Sequence, residues 1–314
     1  VLSLVKQEAK SFSGSNLVFV EEVIEDARHI EVQILGDGQS CIHLFERDCS
    51  FQRNFQKFIE FAPAPNLKFQ TKEKLYKYAV TLCKSVGYKG LGTVEFLIDK
   101  NEKIYFIEVN PRVQVEHTIT EELTGIDLIR AQINVFCGLS IQDQNLTEVN
   151  IIGKRASIQA RLNMESYDKK IQLVPATGTI KEYDIASGPG IRVDGAGKVG
   201  FKNDGLYDSL LAKVIATSDL GLSEAVRKLN FTLRMSKISG VETNKNLIIE
   251  VLNQENLESG SVNISLIDKK MKGYLQKLRN KSQEKEIKDK GYEVPDLPQI
   301  YSPLSENVIQ SELV

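Results

Sequence analysis

The stretch that most constrains the fold of this chain is IYFIEVNPRVQVEH, residues 104–117. Its first half alternates as a β-strand does, and Pro111 ends the strand because proline has no N–H to give to a neighbouring strand. Four polar side chains follow directly: Arg112, Gln114, Glu116 and His117. Polar groups this dense at a strand end are typical of a functional site rather than of a core.

A partner strand for this stretch lies just before it in the sequence. The segment TVEFLID at 93–99 has strand composition, and KNEK at 100–103 supplies the turn between the two strands. A turn centred on Asn101 and Glu102 predicts a definite register. That register pairs three sets of residues: Asp99 with Ile104, Leu97 with Phe106, and Glu95 with Glu108.

The pairing of Glu95 with Glu108 predicts a metal site. Two carboxylates ~4.5 Å apart at an effective dielectric of ~20 repel by roughly 4 kcal/mol, and a divalent cation between them removes that cost. Asn110 shares a strand face with Glu108, because side chains repeat every second residue. Carboxylate and amide oxygens are ligands for Mg²⁺ or Mn²⁺. The alternative is a solvated hairpin face with no ion.

Length and composition set the broad class. A chain of 314 residues can bury a sizeable core and is expected to form two domains. The formal net charge of −2 and the absence of long apolar runs predict neither nucleic acid nor membrane as a partner. The four cysteines have no CxxC spacing, which favours reduced, buried thiols of an intracellular protein over a disulfide or zinc site. The chain begins at Val1 rather than at methionine, so we expect that residue 1 is not the biological start.

Hydrophobic periodicity predicts the remaining elements. The predicted strands are 17–24, 28–35, 41–45, 156–163, 191–193 and 207–215. The predicted helices are 2–10, 71–86, 128–137 with Asp127 as the N-terminal cap, 223–236 and 246–252. The lysine-rich and then proline-containing end of the chain predicts a linker or tail.

The segment EVNPRVQVEH at 108–117 resembles the signature of biotin carboxylases of the ATP-grasp superfamily. Four further stretches are similar to that family in the same order, and the resemblance runs from about residue 17 to about residue 268. These stretches are 25–35, 45–50, 56–65 and 88–97. The resemblance implies an α+β fold, with part of an ATP-grasp domain followed by the mixed β/α biotin carboxylase C-terminal domain. The implied boundaries are 1–139 and 155–270, with a junction at 140–154 and a linker or tail at 271–314.

The resemblance implies a ligase that carboxylates protein-bound biotin with bicarbonate and MgATP through carboxyphosphate. It makes ATP, Mg²⁺ or Mn²⁺, biotin and bicarbonate the expected cofactors and substrates. Expected partners are a biotin carboxyl carrier domain and a carboxyltransferase, in the same chain or complex, within a homo-oligomer. The acceptor class is an acyl-CoA, pyruvate or urea, and the segment at 163–168 looks more like large single-chain acyl-CoA carboxylases. The implied compartment is the cytoplasm, or the mitochondrial matrix for a eukaryotic homologue.

Site residues carry over from the family position by position. The implied nucleotide contacts are Glu21, Glu22, Val23 and Ile24 at an adenine-binding hinge, with His29, Gln52, Glu95, Leu97 and Glu108. The implied bicarbonate pocket consists of Lys57, Arg112, Gln114, Val115 and Glu116. Chemically, a carboxylate must take the proton of bicarbonate while cations hold the anion, which favours Glu116 as the base and Lys57 and Arg112 as anion ligands. Arg161 matches the residue that stabilises the biotin enolate, and a structural ion pair is its alternative reading. We interpret His117 and His43 as structural.

Two departures from the family pattern bear on function. Asn54 and Phe55 stand where the family has basic residues and a histidine. The family's N-terminal domain and glycine-rich lid are not among these residues, so we expect a truncated chain that is inactive by itself. Two alternatives to a biotin carboxylase remain open: another ATP-grasp ligase, such as a carbamoyl-phosphate synthetase type, and a non-catalytic scaffold that keeps the fold.

Overall fold

The computed structural model describes residues 2–151, 153–168, 173–205, 208–255, 257 and 262–291, without the side chains of residues 12, 173 and 279–291. Seven helices and fourteen strands lie in these ranges. The helices are α1 (Leu2–Ser13), α2 (Phe69–Ser85), α3 (His117–Thr124), α4 (Leu128–Phe136), α5 (Leu222–Met235), α6 (Lys245–Gln254) and α7 (Leu266–Gly291). In the part of the chain so described, no helix combines the length and the apolar character needed to cross a bilayer.

Eight of the strands form one antiparallel sheet. In chain order they are β1 (Arg28–Asp37), β2 (Cys41–Arg53), β3 (Gln56–Ala62), β4 (Lys89–Ile98), β5 (Ile104–Asn110), β6 (Ala156–Asn163), β11 (Ile191–Gly195) and β13 (Leu210–Ser218). Their spatial order is β11-β13-β6-β3-β2-β1-β4-β5, so β5 is an edge strand.

Six short strands form three small two-stranded sheets in the second half of the chain. They are β7 (Glu165–Tyr167), β8 (Leu173–Pro175), β9 (Gly178–Thr179), β10 (Glu182–Asp184), β12 (Lys202–Asn203) and β14 (Lys237–Ser239). The pairs are β7 with β8, β9 with β12, and β10 with β14.

The large sheet passes from the first half of the chain into the second through the pairing of β3 with β6, in which Ile59 faces Ala160 and Phe61 faces Ile158. Helices α5, α6 and α7 pack their apolar faces onto this part of the sheet, and α2 covers β1 and β4. Burial of these apolar faces is the main favourable term in folding. The predicted domain junction at 140–154 lies outside the sheet, and the predicted boundaries stay a prediction.

The hairpin of β4 and β5 has the predicted pairing at its functional end and a different pairing at its turn. Glu95 faces Glu108 as predicted. The other two predicted pairs are wrong: Leu97 faces Tyr105, and Ile98 rather than Asp99 faces Ile104. The cause is a β-bulge next to Glu95, where the register shifts by one residue. The bulge adds one residue, Ile107, to β5, so every pair between the bulge and the turn is shifted by one residue relative to the pair of Glu95 with Glu108.

Two further expectations differ from the structure. Residues 15–24 form no strand, and the side chains of Leu17, Phe19, Val20 and Val23 are exposed. Residues 271–291 continue helix α7 instead of forming a linker, because Met271, Tyr274 and Leu275 recur at helical spacing and pack into the core. The expected tail from 292 and the expected strand residue Tyr207 lie outside the described residues.

The cysteines follow the expectation at three positions of four. Cys41, Cys49 and Cys83 are buried free thiols, whereas Cys137 is a free thiol that is exposed. Cys137 stands at the C-terminal cap of α4, beyond the last buried residue of that helix. The predicted cap at the other end of α4 is confirmed, because the side chain of Asp127 accepts a hydrogen bond of 2.8 Å from the backbone N–H of Arg130.

Candidate functional site

A cleft of about 790 Å³ opens over the central strands of the large sheet and gathers most of the residues predicted from the sequence. The predicted residues that line it are His29, Gln52, Lys57, Glu95, Leu97, Glu108, Asn110, Arg112, Gln114, Val115, Glu116 and Arg161. They come from six separate segments of the chain. The antiparallel order of the sheet is what brings these segments to one place.

Lys57 lies at the centre of the cleft, between three carboxylates. Its Nζ donates to Glu31 Oε2 at 2.6 Å, to Glu116 Oε1 at 2.8 Å and to Glu95 Oε1 at 3.3 Å. Burial favours the neutral amine, but the nearby carboxylates outweigh burial and raise the pKa of Lys57 above its usual value. Lys57 is therefore a fixed positive charge at the base of the cleft.

A second cation, Arg47, is fully buried beneath the cleft and fixes the carboxylate of Glu31 from the other side. Its Nε donates to Glu31 Oε1 at 2.5 Å. The remaining N–H groups donate to side-chain oxygens of four residues: Gln33 (2.7 Å), Thr120 (2.8 Å), Thr93 (3.3 Å) and Gln114 (3.3 Å). Burial opposes ionisation of Glu31, but Lys57 and Arg47 outweigh burial and lower the pKa of Glu31 to about 2.

Glu95 is the point where the predicted metal site and the anion pocket meet. One of its oxygens, Oε1, accepts hydrogen bonds from Gln114 Nε2 at 2.6 Å and from Asn110 Nδ2 at 2.9 Å. Its other oxygen, Oε2, lies 2.5 Å from His29 Nε2. Burial opposes ionisation, but the hydrogen bond from His29 and the charge of Lys57 lower the pKa of Glu95 to about 2.

The predicted metal ligands converge on one another. Asn110 Nδ2 donates to Glu95 Oε1 at 2.9 Å and to Glu108 Oε1 at 2.8 Å, so the amide bridges the two opposed carboxylates. Glu108 is exposed on the edge strand β5, where a cation and its other ligands can reach it. Two carboxylates and an amide at the mouth of a cleft fit a hard divalent cation. Two other clusters of potential ligands, around Glu31, are buried and occupied by Lys57 and Arg47.

Glu116 and Arg161 form the end of the cleft that lies towards the second half of the chain. Arg161 Nη2 donates to Glu116 Oε2 at 3.1 Å, and Lys57 holds the other oxygen of Glu116. Arg161 Nε donates to the buried carboxylate of Glu60 at 2.6 Å. Burial opposes the charge, but Glu60 and Glu116 raise the pKa of Arg161. Arg161 therefore forms the ion pairs that the structural alternative expects. It also lines the cleft, so the role towards biotin stays a prediction.

His29 and Gln52, two of the predicted nucleotide contacts, lie side by side in the cleft. Gln52 Nε2 lies 2.6 Å from His29 Nδ1 and donates to the carbonyl oxygen of Cys49 at 2.9 Å. Arg112, in contrast, is exposed, and within the described residues it forms no ion pair; its Nη1 donates to the carbonyl oxygen of Val113 at 3.3 Å. The guanidinium of Arg112 thus faces the open side of the cleft.

The structure does not bring every predicted residue to the cleft. Glu21, Glu22, Val23 and Ile24 do not line it, and among the described residues their segment pairs with no strand. The sequence reasoning missed other residues that the structure places in or directly behind the cleft. They are Glu31, Arg47, Gln56, Glu60, Ile107, Asn163, Asp208, Ser209, Leu210 and Ile264. Phe55, noted above as a departure from the family pattern, also lines the cleft. Its positive φ of 61° and that of 47° at Asn54 belong to the two-residue turn between β2 and β3.

Two of the three histidines have contacts of a structural kind. His117 Nδ1 lies 2.7 Å from the carbonyl oxygen of Gln114, and burial lowers the pKa of His117. His43 stacks on Tyr76 with ring centroids 4.0 Å apart, and burial lowers the pKa of His43. Neither histidine lines the cleft.

Two family models match the chain. Residues 1–144 match the model described as carbamoyl-phosphate synthase L chain, ATP binding domain, and residues 159–269 match the biotin carboxylase C-terminal domain. The chain is 45% identical over 263 residues to the mitochondrial pyruvate carboxylase of Mus musculus, an alignment that covers 83% of this chain and 22% of the mouse protein. The chain thus spans about a fifth of the length of the curated relatives it matches.

Solved structures show the same similarity. Pyruvate carboxylase from Rhizobium etli superposes with a TM-score of 0.80 at 39% identity, over 85% of this chain and 24% of that one. The biotin carboxylase domain of 2-oxoglutarate carboxylase from Hydrogenobacter thermophilus, solved with MgADP, ADP and bicarbonate, superposes with a TM-score of 0.79 at 34% identity. That alignment covers 87% of this chain and 59% of the domain. A single-chain, multi-domain long-chain acyl-CoA carboxylase gives a TM-score of 0.75 at 39% identity, over 80% of this chain and 27% of that one.

Proposed function

Because the chain belongs to the biotin carboxylase family, we propose that its cleft takes part in the MgATP-dependent carboxylation of biotin by bicarbonate. The single observation that carries the proposal is the position of Glu116. Its two oxygens are held by Lys57 and Arg161, next to the bridged carboxylates of the metal site. A base, two cations and a metal site within one cleft are the parts that this reaction requires.

The proposal gives each group the role that its position in the family pattern implies. Glu116 accepts the proton of bicarbonate, while Lys57 and Arg112 hold the anion in line with the γ-phosphate of ATP. A bicarbonate oxygen then forms a bond to the γ-phosphorus as the bond from that phosphorus to ADP breaks, which gives carboxyphosphate and ADP. Carboxyphosphate then breaks its bond between the carbonyl carbon and the phosphate oxygen, which releases CO₂ and phosphate. The phosphate takes the N–H proton of biotin, Arg161 stabilises the resulting enolate, and the biotin nitrogen forms a bond to the carbon of CO₂, which gives carboxybiotin.

Glu95, Glu108 and Asn110 would hold the cation, Mg²⁺ or Mn²⁺. When bound, the cation neutralises phosphate charge. His29, Gln52 and Leu97 would contact the nucleotide. The segment from Glu21 to Ile24 would also contact it once a partner strand holds that segment beside the cleft. The Hydrogenobacter domain that binds MgADP and bicarbonate supports this assignment.

The acceptor, partners and location are also proposals. The pyruvate and acyl-CoA carboxylases among the relatives support one of these two acceptors, with a carrier domain and a carboxyltransferase as partners within a homo-oligomer. Residues 163–168 favour the acyl-CoA, whereas the curated relatives favour pyruvate. The cytoplasm is the proposed location, with the mitochondrial matrix as the alternative that the mouse protein supports.

A second candidate is another ATP-grasp ligase, which the description of the family model for residues 1–144 favours. The match of residues 159–269 to a biotin carboxylase domain and the position of Arg161 favour biotin. A scaffold without activity is the least supported, because a decayed site would not keep Lys57 between three carboxylates.

The first experiment measures ligand binding by this chain. Titration with ¹³C-labelled bicarbonate in the presence of MgADP, followed by the ¹³C line width, is expected to show saturable binding. Arg112→Ala is expected to weaken binding about tenfold, since it removes one charge-assisted contact. Arg130→Ala, on the exposed surface of α4, is the matched control. Equal binding by both variants would contradict the anion pocket.

The second experiment separates the base from the binding groups. These residues, grafted in place of the matching segment of a complete biotin carboxylase domain, are expected to cleave ATP when bicarbonate and free biotin are present. Glu116→Gln in that chimera should abolish turnover while MgATP binding survives. Loss of both together would show that Glu116 acts in binding or folding rather than as the base. Turnover by this chain alone would overturn the expectation that it is inactive by itself.

A further inference from the structure

A buried carboxylate, Glu60, lies directly behind Arg161 and has no place in the reaction as described above. Glu60 is fully buried on β3, and it does not line the cleft. Its Oε1 accepts a hydrogen bond of 2.6 Å from Arg161 Nε, and its Oε2 accepts one of 3.1 Å from Gln159 Nε2. Both oxygens of the carboxylate are thus engaged by two residues of β6.

The backbone explains why these groups meet. Glu60 on β3 is paired with Gln159 on β6, and Arg161 lies two residues further along β6 on the same face. Gln159 is fixed in turn, because its Oε1 accepts a hydrogen bond of 2.5 Å from Thr118 Oγ1. Thr118 stands in the first turn of α3, two residues after Glu116.

The guanidinium of Arg161 is therefore held along two edges. Its Nε edge is bound by Glu60 behind the cleft, and its Nη2 contacts Glu116 within the cleft. A guanidinium is planar and has its donors in a fixed fork, so holding Nε sets the direction of the other N–H groups. A buried carboxylate with both oxygens bound has little freedom to rotate, which makes it a rigid support.

We propose that Glu60 is a positioning residue that clamps the Nε edge of Arg161 and so directs the remaining N–H groups of Arg161 at a planar, oxygen-bearing ligand in the cleft. Gln159 and Thr118 hold Glu60 in place. The identity of that ligand as the ureido group of biotin rests on the proposed function, whereas the clamp itself rests only on the contacts of Glu60.

The chain contains a matched control for the loss of a buried ion pair. Arg53 and Glu165 are also buried, and Arg53 Nη1 lies 2.6 Å from Glu165 Oε1. Neither residue lines the cleft. Glu165→Gln and Glu60→Gln therefore make the same chemical change in the same kind of environment, and only the second acts on Arg161.

The experiment follows the Arg161 Nε–H signal by NMR in the whole chain. In Glu60→Gln, hydrogen exchange at this N–H is expected to accelerate about tenfold, because a hydrogen bond from a cation to a carboxylate is replaced by one to a neutral amide. Glu165→Gln should leave that rate within about twofold of the wild type, since the control shares only the global loss of stability. The double variant Glu60→Gln/Gln159→Glu, which moves the charge to the facing residue, should slow the exchange again.

Free biotin is the ligand probe in the same samples. Biotin is expected to shift the wild-type Arg161 signal and to bind Glu60→Gln about fivefold more weakly than Glu165→Gln. Equal exchange rates at Arg161 in the two single variants would overturn the clamp, whatever biotin does. A clamp confirmed by exchange, with no response of the wild-type signal to biotin, would instead overturn the proposed ligand and with it the proposed function.

Discussion

Two parts of the cleft are built in opposite ways. Its inner wall, formed by Glu31, Lys57, Glu95 and Glu116, has side chains that are at most 13% exposed, and every charge has a partner within 3.3 Å. Its outer rim, formed by Ile107, Glu108 and Arg112, is exposed. The rim belongs to the edge strand β5 and the loop after it, whereas Glu31, Lys57 and Glu95 of the wall lie on strands with neighbours on both sides. Glu116 stands at the N-terminus of α3.

The difference indicates which part is prepared before a ligand arrives. The charges of the inner wall are already desolvated and oriented by their own contacts before a ligand binds. The groups of the outer rim are hydrated, and a cation or a phosphate must organise them on binding. Stability should therefore depend on the inner wall, and ligand binding alone should depend on the rim.

The largest effect is expected at the centre of the inner wall. Lys57→Met leaves three carboxylates without their common cation and should lower the free energy of unfolding by about 3–5 kcal/mol, measured by urea denaturation. Lys270→Met is the control, because Lys270 pairs with Glu255 at 2.8 Å but is 48% exposed. That change should cost less than about 1 kcal/mol. Similar losses in both variants would remove the contrast between wall and surface.

Acid should weaken the inner wall in a defined range of pH. The pKa of both Glu31 and Glu95 is lowered from 4.5 to about 2, so the unfolded chain binds more protons than the folded chain between these values. Their contribution to stability is complete above pH 4.5 and is lost as the pH falls towards 2. For the fully buried Glu31 it amounts to at most about 3 kcal/mol.

Urea denaturation from pH 6 to pH 2.5 measures this dependence. Glu31→Gln should be less stable than the wild type at pH 6 and should lose less stability on acidification. Parallel curves for the two proteins would show that the charges of Lys57 and Arg47 do not hold Glu31 ionised.

Substitutions at the outer rim should change ligand binding without changing the free energy of unfolding. Glu108→Gln removes one carboxylate of the proposed metal site and should weaken Mn²⁺ binding about tenfold, measured by electron paramagnetic resonance. Because Glu108 is exposed, the free energy of unfolding should change by less than about 0.5 kcal/mol. Glu73→Gln, at an exposed position on α2, is the control and should change neither quantity. Unchanged Mn²⁺ affinity in Glu108→Gln would contradict the metal site and support the alternative, a solvated hairpin face that holds no ion.

The smallest effect is expected in the segment before β1. Val20 is 92% exposed, so Val20→Ser should change the free energy of unfolding by less than about 0.5 kcal/mol. The same substitution at Val32, which is fully buried on β1, should cost about 2 kcal/mol or more. Thermal denaturation of the two variants side by side measures this difference. A large loss at Val20 would show that the segment packs against the fold in solution.

The sequence predicted the polar end of the β4–β5 hairpin well because local rules govern it. Alternation, a proline stop and the repulsion of two facing carboxylates together placed Glu95, Glu108 and Asn110 correctly. The same rules placed the turn end wrongly, since no residue type marks the bulge. The expected strand at 17–24 was wrong because β-rich composition is not enough where the described residues offer no partner strand.

The support of the site could not be predicted from spacing. Glu60 and Gln159 meet across strands that are far apart in the sequence, and Arg47 likewise contacts the distant residues Thr93, Gln114 and Thr120. These buried contacts depend on the strand order of the sheet. Helix α7 was missed for a different reason. Its many lysines resemble a solvated linker, and three apolar residues at helical spacing are a weak signal beside them.

The pairing of β3 with β6 has a mechanical consequence. Lys57 stands on one of these strands and Arg161 on the other, so the rungs between Ile59 and Ala160 and between Phe61 and Ile158 set the span between the two cations. Moving the two cations apart would require breaking the backbone hydrogen bonds between two inner strands of the sheet, which costs far more free energy than bending a loop. The width of the cleft between Lys57 and Arg161 is therefore fixed. Any movement that opens or closes the cleft has to occur in segments at its rim.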